Sequence, residues 1–153
     1  MFKYAKEGDI KLLNIPGIGI TCDKLGNTPL HYLALSGNSE VLKHGNISNF
    51  HNIDYDTALH FLARTGNIDI ITHYSYCTTR NKRGRTPLHV LCEYISSENV
   101  LSILVDTNID KIKDNDWNTP LHILGQRGMI DIINHKSHNI IKNKFDETPF
   151  QLL

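Results

Sequence analysis

The chain lacks an excess of charge of either sign: sixteen Lys and Arg offset sixteen Asp and Glu across 153 residues. Without a net charge the molecule as a whole is not drawn to nucleic acid or to an anionic membrane. No apolar run approaches the ~18 residues needed to cross a bilayer. The opening stretch, "MFKYAKEGDIKLL", is broken by Lys and Glu where a secretory leader has an uninterrupted apolar core. Cysteine is scarce. Cys22, Cys77 and Cys92 form neither an even set for a disulfide framework nor a close pair for a metal. Reduced thiols and a cytoplasmic location are the expectation. Motifs of chemistry are missing as well: there is no phosphate-cradling glycine loop, no nucleophile elbow and no H-E-x-x-H. The sequence therefore nominates no catalytic residue, cofactor or metal. What it does have is 40% hydrophobic residues, enough for a folded core.

Those residues recur. "GNTPLHYLALSGN" returns as "YDTALHFLARTGN", "GRTPLHVLCEYIS" and "WNTPLHILGQRGM", and "DETPFQLL" begins the phrase again. The opening threonines fall at Thr28, Thr57, Thr86, Thr119 and Thr148, with spacings of 29, 29, 33 and 29. A near-fixed period implies stacked copies of one supersecondary unit. Five residues before each threonine stands Asp23, Asn52, Asn81, Asp114 or Asn143, the residue types that turn the chain by bonding nearby backbone groups. Pro follows Thr in four units, where a first helical turn tolerates its missing N–H. A short helix is predicted next, with Leu33, Leu62, Leu91 and Leu124 at one position and a small residue, Ala34, Ala63, Cys92 or Gly125, after it. Small residues at a fixed helical position let a neighbouring helix come close. Gly37, Gly66 and Gly128 end three of these helices, but "YISSEN" has no glycine there. A second helix with an acidic first turn follows each, at Glu40, Asp69, Glu98 and Asp131. It is expected to close on His44, His73 and His135, placed as cations at a helix C-terminus. The third unit adds four residues to it, close to one helical turn.

The units divide the chain into an N-terminal cap at 1–27, internal repeats at 28–56, 57–85, 86–118 and 119–147, and a partial repeat at 148–153. A lone ~30-residue helix pair buries too little apolar surface to offset its ordering entropy, so the units must stack. The pattern of turn, "DKLGNTPLH", helix, glycine and second helix resembles the ankyrin-repeat family over essentially the whole chain. The resemblance implies an all-α solenoid of helix-turn-helix units with β-hairpin-like tips on one side. It also implies that His31, His60, His89 and His122 hydrogen-bond within their turn and to the next repeat. Three units are four residues shorter than the family's 33, and Tyr55 and Trp117 stand where the turn carries glycine.

The variable residues lie at the tips and at the ends of the first helices. Asp54 and Asp56 precede the basic tip with Arg83 and Arg85, and Asp114 and Asp116 follow it. Two readings stay open. Such charges pair with one another on the surface, worth at most ~1 kcal/mol each, or they form an alternating ridge that sets a partner's register. Trp117 likewise either fills space beside an irregular turn or anchors an interface. The resemblance implies partner binding along this side, and the candidate contacts are Asp54, Asp56, Arg64, Arg83, Arg85, Tyr94, Asp116, Trp117 and Arg127. The expected function is a non-enzymatic, monomeric protein-interaction module. The alternative is a targeting or inhibitory segment of a larger effector. Reversing Arg83 and Arg85 together is expected to spare stability while weakening binding.

Overall fold

The computed structural model describes residues 1–153 and contains helices joined by turns, with no strand beyond one isolated antiparallel bridge between His51 and Thr57. Helix α1 spans Phe2–Lys6, α2 Pro29–Ala34, α3 Ala58–Ala63, α4 Pro87–Tyr94, α5 Val100–Leu104 and α6 Pro120–Gln126. Helices α1, α2, α3, α4 and α6 stack in that order as one layer, and the 3₁₀ turn Pro149–Leu152 packs on α6 as the last member.

Each stacked helix from α2 onward starts at one of the repeated threonines because the local chemistry closes a capping box. Thr28, Thr57, Thr86 and Thr119 are extended at the cap, and the histidine three residues on reaches back to the threonine N–H at 3.0–3.2 Å. Gln151 performs the same service for Thr148, its Oε1 accepting from the Thr148 N–H at 2.8 Å. The leucines of the phrase form the core: Leu30, Leu33, Leu59, Leu62, Leu88, Leu91, Leu121 and Leu124 are fully buried. The small residues beside them set the spacing of the layers. At Gly125 an added Cβ would stand 2.2 Å from the Pro149 carbonyl oxygen, so close approach requires glycine there.

The second segments differ from the expected α-helices. Ser39–Lys43, Ile68–Thr72 and Ile130–Asn134 are 3₁₀ helices of five residues. A 3₁₀ helix rises about 2.0 Å per residue against about 1.5 Å for an α-helix, so five residues span roughly 10 Å, a distance that takes about seven α-helical residues. Tightening the winding thus lets a shortened repeat cross the same layer. The 33-residue unit has room to relax, and after the 3₁₀ turn Ser97–Asn99 its chain continues as the α-helix α5. The added residues also buy an anchor, since Tyr76 Oη donates to Asp106 and accepts from Asn108 Nδ2 at 2.6 Å.

The histidines ending the 3₁₀ segments are not cations. The Nδ1 atoms of His44, His73 and His135 accept the N–H of Asn46, Ser75 and Ser137 at 3.1–3.2 Å, a role that requires an unprotonated nitrogen. Burial lowers their pKa values below the ordinary range, consistent with the neutral ring.

Candidate protein-binding cleft

Five turns stand side by side along the array: residues 23–27, 52–56, 81–85, 114–118 and 143–147. Each is built by one side chain. Asp23, Asn52, Asn81, Asp114 and Asn143 each use a single Oδ1 to accept two backbone N–H groups, two and four residues ahead, at 2.9–3.1 Å. Neighbouring tips are then sewn together by backbone bonds. The N–H groups of Ile53, Lys82, Asn115 and Lys144 donate to the carbonyls of Leu25, Asp54, Arg83 and Asp116 at 2.9–3.0 Å. One row of side chains along the ridge therefore reads Leu25, Asp54, Arg83, Asp116, Phe145, and the next reads Gly26, Tyr55, Gly84, Trp117, Asp146.

That second row occupies the left-handed region, with φ between 62° and 77° at all five positions. Glycine adopts this backbone freely, whereas Tyr55, Trp117 and Asp146 are held in it at a cost of about 1 kcal/mol each. Tyr55 and Trp117 remain about half exposed despite that strain. Trp117 does not fill an interior gap: its ring lies outside the core, with the Lys113 ammonium 5.2 Å from its centroid.

A second ladder runs beneath the ridge and consumes charge. Asn52 Nδ2 donates to Asn27 Oδ1, Asn81 Nδ2 to Asp56 Oδ1 and Asn143 Nδ2 to Asn118 Oδ1, each at 2.9 Å. At the remaining step Arg85 Nε donates to Asp114 Oδ2 at 3.3 Å. Asp56 is buried and also bound by Arg64, while Arg85 reaches Glu93 eight residues ahead at 3.2 Å. Two successive units thus use the same geometry with opposite signs. Asp56 is not the exposed tip charge that the sequence suggested, and the Arg85 side chain is only 16% exposed. The expectation that Arg83 and Arg85 could be reversed together without loss of stability is corrected accordingly: a Glu at position 85 would face the carboxylates of Glu93 and Asp114.

Asp54, Arg64, Arg83 and Tyr94 come together with Asp56 and Arg85 around a cleft of 380 Å³ between the second and third tips. Lys82, Glu93 and Val90 also line it and were not among the candidate contacts. Asp116 and Trp117 stand on the fourth tip, outside this cleft. Asp116 lies 3.9 Å from the Lys144 ammonium. Arg127 has another task. Its Nη1 donates to the carbonyls of Cys92 and Ile95 at 3.0 and 2.8 Å, closing the end of α4 where the other units use glycine.

The buried histidines tie this surface to the helical layer. In each of His31, His60, His89 and His122, Nδ1 accepts from a backbone N–H and Nε2 meets the carbonyl of Asp56, Arg85, Asn118 or Glu147 in the next tip at 3.0–3.2 Å. A carbonyl only accepts, so the ring is neutral with its proton on Nε2. Burial drives the pKa values of His60 and His89 down to about 4. No group of three or more His, Cys, Asp or Glu side chains is placed to hold a metal ion.

Stacked helical layers and left-handed tips in register define a solenoid repeat protein. The family model for ankyrin repeats matches residues 59–143 in three copies, and the chain belongs to that family. No curated protein matches it. Ankyrin repeats are in general protein–protein interaction modules, and no helix here is long and apolar enough to cross a membrane.

Proposed function

We propose that this chain is a non-enzymatic binding module, acting as a monomer in the cytoplasm, which grips a protein partner through its tips and the adjoining cleft. The observation that supports this most is the pairing of strain with exposure on the ridge. Tyr55 and Trp117 occupy a backbone conformation that glycine would take without cost, and both present their rings outward. Local strain held at an exposed aromatic is characteristic of recognition sites, and aromatic and Arg side chains are favoured interface anchors. The tips are fixed by backbone and side-chain ladders before any partner arrives, so docking loses little conformational entropy. Asp54, Arg83, Tyr94, Asp116 and Trp117 are the contacts proposed. Asp56, Arg64 and Arg85 shape the cleft from beneath, and Arg127 holds the end of α4.

The test is affinity capture from a cell lysate with the immobilised protein, its Trp117→Gly variant and its Arg83→Glu variant. Both substitutions are expected to leave the thermal midpoint within a few degrees of the parent, since neither side chain is buried or ion-paired. A partner retained by the parent and lost tenfold or more by either variant supports the proposal. Equal retention of every captured protein by all three would contradict it.

A further inference from the structure

We propose that the cleft between the second and third tips is a receptor for one acidic side chain on an extended segment of the partner, an assignment that rests on the protein-binding reading above. The charges around it divide into those already paired and those free. Arg64 is taken by Asp56, and Arg85 by Glu93 and Asp114. Lys82 and Arg83 enter no ion pair, and neither do Arg80 and Lys113 beside them. Arg80 Nη1 braces the tip by donating to the carbonyls of Gly84 and Lys113, each at 2.6 Å. Lys82 and Arg83 therefore line the cleft without an ionic partner, and Asp54 is the only unpaired carboxylate lining it.

The backbone that carries the two central cations is held on both sides. The Lys82 N–H donates to the Asp54 carbonyl and its own carbonyl accepts from Asn115 Nδ2, while the Arg83 carbonyl accepts from the Asn115 N–H at 3.0 Å. An incoming carboxylate meets donors that need only settle their side chains. Val90 and the half-exposed Tyr94 ring give the cleft an apolar wall, which strengthens an ion pair once a peptide covers it. A nucleic-acid strand fits this surface less well. It brings a negative charge about every 3.4 Å, and Asp54 and Asp116 stand on the tips to either side of Arg83.

The assignment is tested by NMR titration of the full chain with an end-capped Gly-Ser octapeptide carrying a central Glu-Leu pair. Gln-Leu and Lys-Leu versions and octathymidylate serve as comparison probes. The Glu peptide is expected to shift the amides of Lys82, Arg83 and Tyr94 saturably, and at least tenfold more tightly than the Gln peptide. Lys82→Ala with Arg83→Ala should abolish those shifts with the fold intact, because no ion pair is lost. Asp54→Asn, which removes the competing carboxylate, should tighten binding several-fold. The assignment is overturned if the Glu peptide gives no saturable shift, if the double variant binds it as the parent does, or if octathymidylate binds more tightly at the same amides. Preference for the Lys or Gln peptide at those amides would overturn the carboxylate assignment alone, leaving protein binding at this surface in place.

Discussion

A histidine that must stay neutral is the unit of cohesion in this chain. Each of the four links its own capping threonine to the carbonyl of the next tip, and protonation of Nδ1 would break the bond from the threonine N–H. The consequence for pH follows from the direction of the shifts. In the unfolded chain these rings titrate near 6.5, whereas burial brings folded His60 and His89 to about 4. Between those values the unfolded state holds more protons, so stability is fully present above about pH 6.5 and is lost as pH falls toward 4. Urea midpoints measured at half-unit steps should be level from pH 8 to 7 and then decline steadily to pH 4. A midpoint that rises on acidification would show that the rings are charged in the fold. The role of the capping histidines was implied by the family resemblance, and the structure supplies its physical reason: Thr-x-x-His places cap and partner within one helical turn. The state of His44, His73 and His135 was not, since their acceptor role depends on an extended backbone that the side-chain pattern does not encode.

At the scale of the element, the departures from regularity each have a compensating residue. The phrase "YISSEN" showed that α4 lacks a terminating glycine, but nothing in it indicated what replaces one. The replacement is Arg127, from the following unit, bonded to two main-chain carbonyls that leave no trace in side-chain composition. Arg127→Ala should cost about 1–2 kcal/mol, the range for hydrogen bonds to a charged group discounted for partial exposure. Hydrogen exchange should quicken most at the amides of Tyr94 and Ile95, with α2 and α3 unaffected. Uniform loosening of the array would instead assign Arg127 a global role. The 3₁₀ winding of the shortened units was similarly hidden: apolar residues such as Val41 and Ile70 mark a buried face without fixing three or four residues per turn. The four-residue difference in repeat length was the visible clue, and its physical meaning is the extra rise of the tighter helix.

For the whole molecule, the array separates charges that hold it together from charges left to act. The layer order and the leucine core could be read from the period alone, because stacking units must all present the same apolar face. The division of the tip charges could be read only in part. Asp56 with Arg64 and Arg85 with Glu93 both sit eight residues apart with opposite signs, a symmetry present in the sequence and informative once noticed. The bond from Arg85 to Asp114 crosses 29 residues and needs the fold to be seen. Arg83 and Arg85, neighbours in one basic tip, thereby fall into different classes.

Urea unfolding of Arg83→Glu beside Arg85→Glu tests that separation most directly. The first variant should match the parent within about 0.5 kcal/mol, as an exposed unpaired charge does. The second should lose at least ~2 kcal/mol, because a Glu faces Glu93 and Asp114 where a bonded guanidinium stood. Equal losses in the two variants, or a larger loss at Arg83, would contradict the account.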